Sequence, residues 1–154
     1  MHFWKMNGAP RDFIILNNCQ ENLPDTAFPL LAKTLCDPTR SLGANGLLVA
    51  DKGRNGFQAA LYSPDGSPQT LDASSARCFC RFIRELGLGG TSLQVETAAG
   101  PILAQQLDRR SFQVCLHPEG PWSQGCTNLV AEGEILDEDL PELYWLLSGA
   151  LCQE

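Results

Sequence analysis

The sequence predicts an α+β fold, dominated by strands with one long helix in the middle. Three observations carry this. Short apolar runs bounded by glycine, proline and asparagine recur along most of the chain, as they do where strands are joined by tight turns. One long stretch, Asp72 to Leu86, places Ala76, Phe79, Cys80, Ile83 and Leu86 at helical spacing. The length of 154 residues, with 44% hydrophobic, suits one domain with a real core and is short for two.

The elements follow in order. Phe3-Trp4-Lys5-Met6 and Asp12 to Asn17 read as a hairpin turning at Gly8-Ala9-Pro10-Arg11. Pro24-Asp25-Thr26 opens a helix carrying Phe28, Leu31, Ala32 and Leu35 on one face, and Pro38 marks its end. The glycine turn Gly43-Ala44-Asn45-Gly46 feeds a strand from Leu47 to Ala50. A second strand spans Phe57 to Tyr62 and runs into the turn Pro64-Asp65-Gly66-Ser67. After the central helix, Gly87 to Gly90 stop it. Strands are expected at Ser92–Thr97, Pro101–Gln106 and Phe112–His117, a loop at Pro118–Gly125, and a last strand at Thr127–Ile135. Asp137 to Cys152 reads as a closing helix with Leu140, Leu143, Leu147 and Leu151 in a stripe.

The formal charge of -7 makes the chain a poor binder of phosphate backbones, so neither nucleic acid nor an anionic membrane is expected as a partner. No apolar run approaches the roughly 20 residues of a membrane helix. The start, MHFWKMNGAPRDF, lacks the basic-then-apolar pattern of a signal peptide, which points to the cytoplasm. The 7 cysteines (Cys19, Cys36, Cys78, Cys80, Cys115, Cys126 and Cys152) are odd in number and contain no C-x-x-C pair. They read as reduced thiols rather than a disulfide framework or a metal site. With only His2 and His117, histidine-activated nucleophile chemistry has little to work with.

Several blocks, in order, resemble the diaminopimelate epimerase family. Phe3 to Ile14 is similar to the family's opening strand and turn, and Leu31 to Asp37 resembles its first helix. Gly43 to Leu48 resembles its glycine turn, and Tyr62 to Ser67 its hairpin before the active site. Ala76-Arg77-Cys78-Phe79-Cys80-Arg81-Phe82 resembles its central helix, and Glu96 to Ile102 the strand pair that follows. Leu129 to Ile135 is similar to the family's final strand, which returns to the first domain. The resemblance implies one such domain, a mixed or antiparallel sheet wrapped around the central helix, formed by residues 1–117 plus a returning strand over 127–135. The helix over 137–152 reads as a cover for a sheet edge or face left bare by the family's missing second domain or, as the alternative, as a dimer interface. Family members are about twice as long and set two such domains across a cleft.

The family inverts an amino-acid α-carbon without a cofactor. One thiolate removes the weakly acidic α-proton while a thiol on the opposite face returns another, so two positioned acid/base groups are needed. Backbone N–H groups at helix starts hold the substrate carboxylate. By resemblance, Asp72 occupies the place of the family's cysteine, with Ala73 and Ser74 in place of its glycine and asparagine. Arg11 and Ser63 replace two further asparagines, and Pro10 deletes a backbone donor. Arg11, Ser63, Asp72, Ala73 and Ser74 are therefore the candidate cleft positions. The residues themselves offer Asp72 another role, as an N-cap bonding Ser74 or Ser75. Cys78 and Cys80 read as packed core. Arg77, Arg81 and Glu85, spaced by four, read as a solvated face.

Three expectations follow: no cofactor, no metal, and a fold that has kept its packing and lost its catalytic cleft, serving a binding or structural role with an unidentified protein. The alternative is a cofactor-independent racemase assembled as a homodimer, with two Asp72 carboxylates at one cleft sharing a proton.

Overall fold

The computed structural model describes residues 1–54, 56–117 and 119–135. The expected helix over 137–152, with Cys152, lies outside them. Ten strands form one sheet: β1 (His2–Asn7), β2 (Asp12–Asn17), β3 (Leu47–Gly53), β4 (Gly56–Tyr62), β5 (Pro68–Gln69), β6 (Ser92–Thr97), β7 (Gly100–Gln106), β8 (Ser111–Cys115), β9 (Trp122–Cys126) and β10 (Asn128–Glu134). The helices are α1 (Asn18–Glu21), α2 (Ala27–Leu35) and α3 (Ala73–Glu85). The strand order is β10-β1-β2-β3-β4-β6-β7-β8-β9, with β5 attached to β4. The pairs β2–β3 and β4–β6 are parallel and the others antiparallel.

Side-chain alternation explains why this sheet has two cores. In β2, Phe13 and Ile15 enter the cluster around α3, while Ile14 and Leu16 enter the cluster beneath α2. In β3, Leu48 and Ala50 go to α3, and Leu47 and Val49 to α2. A strand buried on both faces shows no polar alternation, hence the continuous runs Phe13-Ile14-Ile15-Leu16 and Leu47-Leu48-Val49-Ala50. Each fully buried Phe, Leu or Ile contributes roughly 1.5–3 kcal/mol. On the α3 side, Phe79 and Phe82 meet Phe57, and Trp4 stands edge-on to Phe82 at 5.1 Å. The sheet curls so that β1, β2, β3, β7, β8 and β9 all touch this helix. The expected fold class, a mixed sheet around a central helix, is the one observed.

Three differences from expectation stand out. The region expected as a loop over 118–125 contains β9, which pairs with β8 from Ser111↔Cys126 to Cys115↔Trp122. Its side chains are largely exposed, so it carries none of the apolar alternation by which strands are read. The short elements α1 and β5 were likewise invisible, having 4 and 2 residues. The third difference is the Arg77–Arg81 face, which is not solvated. Every residue from Ser74 to Ile83 is buried. Arg77 and Arg81 are each 6% exposed, because β9 and the β9–β10 junction cross over them. Arg77 donates to Ser123 Oγ (3.1 Å) and to the Gly8 carbonyl (3.2 Å). Arg81 donates to the carbonyl and hydroxyl of Thr127 (3.4 and 3.3 Å) while keeping its i, i+4 pair with Glu85 at 2.6 Å. Gly125 is required here: a Cβ would stand 2.6 Å from Arg77 Nε.

Candidate functional site at the start of α3

At the first turn of α3, Asp72 and Ser75 cap each other. Asp72 is extended (φ -96°, ψ -178°) and acts as N-cap. Its Oδ1 accepts the Ser75 N–H at 2.8 Å, and Ser75 Oγ accepts the Asp72 N–H at 2.9 Å. This is a reciprocal capping box, closed by a serine at the third helical position. The other carboxylate oxygen, Oδ2, pairs with Arg11 Nη1. The Arg11 guanidinium lies 5.2 Å from the Phe13 ring centroid. Both partners are about two-fifths exposed, so water screens the ion pair.

The structure brings Arg11, Asp72, Ala73 and Ser74 together. Ala73 is the first helical residue, and Ser74 Oγ lies 3.5 Å from the Arg11 carbonyl. Ser63 is spent elsewhere. Its hydroxyl donates to the Asp65 carboxylate and lies 3.3 Å from the Ser67 carbonyl, within its own turn. Of the two serines expected to bond Asp72, it is Ser75 that completes the cap. One residue that the sequence did not single out also matters here. Gly8 lets the β1–β2 turn lie against the helix: a Cβ there would meet Ser74 Oγ at 2.7 Å and Cys78 Sγ at 2.8 Å.

The electrostatics follow this geometry. Partial burial would raise the Asp72 carboxyl, but the two Ser75 hydrogen bonds and the Arg11 charge outweigh it and hold it below its ordinary 3.8. Hydrogen bonds from Ser63 and Ser67 bring Asp65 down to about 2. Burial pushes the Cys78 and Cys80 thiols up to about 12. Neither thiol forms a thiolate readily, and thiolate is the nucleophilic and basic form. Cys19, Cys36, Cys78, Cys80, Cys115 and Cys126 are all free.

Two clefts border this part of the sheet and the far end of β3. One, of about 420 Å³, lies between Ala59–Tyr62, Leu71 and the Thr97–Ala99 turn. The other, of about 470 Å³, lies among Asn18, Cys19, Asp51 and Phe57. None of Arg11, Ser63, Asp72, Ala73 and Ser74 lines either one. Among the described residues, no group of three or more His, Cys, Asp or Glu side chains could hold a metal ion, and no helix is long and apolar enough to cross a membrane.

Comparison with known proteins places these features. The family model described as diaminopimelate epimerase matches residues 3–117. The diaminopimelate epimerase of Moorella thermoacetica is 39% identical over 104 residues, covering 66% of this chain and 37% of that protein. That of Desulforudis audaxviator is 35% identical over 119 residues, covering 74% and 42%. The chain thus spans about two-fifths of the length of the curated relatives it matches. Among solved structures, a phenazine biosynthesis protein of the PhzF family from Bacillus anthracis superposes with a TM-score of 0.60 at 13% identity, covering 74% of this chain and 40% of that one. A hydroxyproline epimerase from Agrobacterium vitis gives a TM-score of 0.55 at 15% identity, with the same coverage. These two likenesses concern the fold. The sequence match over residues 3–117, together with the sheet wrapped around α3, leads to one conclusion: the chain belongs to the diaminopimelate epimerase family.

Proposed function

We propose that this chain is a non-catalytic member of its family, in which the start of the central helix has become a closed cap and the domain serves a binding or structural role. The observation that carries the reading is the double engagement of Asp72. One carboxylate oxygen takes the Ser75 N–H and the other takes Arg11. A helix start grips a foreign carboxylate through its free N–H groups and its dipole. Here a resident carboxylate already uses a helix-start N–H, and its charge repels a second anion. As a base, an ionised Asp72 held below its ordinary range is poorly matched to an α-proton, which demands a group poised near the working pH. The distribution of substitutions supports the same reading: by resemblance the departures Arg11, Ser63, Asp72, Ala73 and Ser74 all fall on cleft positions, while the packing blocks are kept.

The test is α-proton exchange in deuterated water, with a panel of amino acids that includes diaminopimelate. The expected result is exchange at the buffer rate for every amino acid. Stereoselective exchange well above background that is lost in Asp72→Ala would overturn the proposal. It would favour instead an isomerase using Asp72 as its acid/base group, with a homodimer as the form that supplies two.

A further inference from the structure

Among the described strands, β10 pairs with β1 alone, and an ionic fastening at the open end of that pair has no part in the site at α3. Ile135 N–H donates to the Met1 carbonyl at 2.7 Å, and the Met1 ammonium donates to the Ile135 carbonyl at 3.0 Å. One residue further along, the His2 imidazole stands edge-on to Trp4 at 4.4 Å and faces β10 with both nitrogens. Nδ1 is 2.9 Å from Glu134 Oε1, and Nε2 is 2.9 Å from Glu132 Oε1. A neutral imidazole has one N–H and one lone pair. In that form one of the two contacts would set a lone pair against a carboxylate oxygen. Both are attractive only when both nitrogens carry protons.

We propose that His2 is a pH-operated latch: its imidazolium, bridging Glu132 and Glu134, fastens the returning strand β10 to β1, and loss of its proton loosens that strand.

The position suits a latch. From Asn128 to Glu132 the side chains of β10 are exposed, so little apolar burial opposes release. Beyond its ladder to β1, the strand is held at its far end by Thr127 and Arg81, and at its near end by the groups around His2 and by Ile135, which is buried in the cluster beneath α2. Among the described residues, the charged groups around the latch have counterparts. Met1 ammonium lies 3.2 Å from Glu134 Oε2. Glu21 of α1 accepts the His2 backbone N–H at 2.9 Å. On α3, which reaches β1 through Phe82, Arg81 and Glu85 pair with each other. On β2, Asp12 pairs with Lys5 at 3.5 Å, at the other end of β1. Of the side chains named here, His2 is the one whose ordinary value lies near neutrality. Burial alone would lower the His2 value, but the two glutamates outweigh it and raise it above 6.5.

The sign follows. A raised folded value means that the contribution is complete below 6.5 and is lost as pH rises through the folded value. The experiment is amide hydrogen exchange by NMR on the full chain between pH 5.5 and 8, corrected for intrinsic exchange, with His2 titrated in the same samples. Protection of the Asn128–Glu134 amides is expected to fall by about threefold over this range, the size set by partly exposed ion pairs. The β3–β4 amides should not change. In His2→Gln the β10 protection should sit at the lower level throughout, and Glu132→Gln or Glu134→Gln should each lower the His2 titration point. The proposal is overturned if wild-type β10 protection is flat, if His2→Gln shows the wild-type profile, or if His2 titrates at or below 6.5.

Discussion

Two sets of polar partners on helix α3, at its first turn and along its Arg77–Arg81 face, differ in where the partners come from. Its first turn is closed by Asp72 and Ser75, three residues apart, with Arg11 adding an exposed charge. Its Arg77–Arg81 face is closed by Ser123 and Thr127, each 46 residues away, and by the Gly8 carbonyl. The first arrangement is local, wet and loosely coupled to the fold. The second is distant, dry and shared by three elements. A buried guanidinium loses its water and must recover hydrogen bonds from protein. Arg77 recovers only some of them, since its Nε has no hydrogen-bond partner. The buried face should therefore dominate stability, and the exposed cap should be the part free to change with function.

The largest effect that would sharpen this comparison is expected from Arg77→Ala. It empties a buried site and leaves the Gly8 carbonyl and the Ser123 hydroxyl without their donor. A loss of about 3 kcal/mol in urea unfolding is expected. Arg77→Lys should recover only part of it, because one ammonium nitrogen replaces the two guanidinium nitrogens that reach Ser123 and Gly8 separately. A cost under about 1 kcal/mol for the alanine variant would mean that the face is wetter than its burial implies.

Gly125→Ala tests the same face from the strand side. The new Cβ would stand 2.6 Å from Arg77 Nε, and a cost of about 2 kcal/mol is expected. The sharper reading is the pair. In an Arg77→Ala background the obstruction is gone, so the second substitution should be nearly neutral. The coupling between them should then be of the same size, about 2 kcal/mol. Additive costs in this double-mutant cycle would show that Gly125 is needed for its backbone alone.

Legibility in the sequence followed the same division. Asp72 as a cap was readable because all its chemistry lies within one helical turn. The strands β2 and β3 were readable because burial on two faces writes an unbroken apolar run. The Arg77, Arg81, Glu85 spacing was read as a solvated face, since the i, i+4 pair is local and visible while the covering strand is not. That cover is β9, whose Trp122, Ser123 and Gln124 are exposed and whose hold is the backbone ladder to β8. A strand fixed by main-chain hydrogen bonds leaves no periodic mark in its side chains. Misreading β9 as a loop and misreading Arg77 as solvated were thus one error, made at the two ends of one contact. The family blocks implied the fold, but the candidate cleft positions needed coordinates: only the geometry shows Ser63 turned into its own loop and Arg11 joined to Asp72.

At the cap itself the expected effects are smaller. Asp72→Ala should cost about 1 kcal/mol at neutral pH, as N-caps do. Asp72→Asn, which can still accept the Ser75 N–H, should cost less. The Asp72 carboxyl is held below 3.8 in the folded state, so its contribution is present above that value and disappears as pH falls through the folded one. The difference between wild type and Asp72→Ala should therefore narrow in unfolding curves recorded progressively below pH 3.8. A gap that persists unchanged in strong acid would mean that the neutral carboxyl caps the helix as well as the carboxylate does.

The smallest effect separates the ion pair from the cap. Arg11 and Asp72 are each about two-fifths exposed, so Arg11→Ala should cost only a few tenths of a kcal/mol. That cost should shrink with added salt, because screening at about 1 M acts over distances near 3 Å. The same variant should move the Asp72 titration upward, since the Arg11 charge is one of the influences that hold it down. These two readouts answer different questions. A small, salt-sensitive cost with an upward titration shift means that Arg11 sets the charge state of the helix start while the Ser75 box fixes its shape. A cost near that of Arg77→Ala would instead place the β1–β2 turn under the control of Arg11. The contrast between a dispensable wet end and an essential dry face of α3 would then fail.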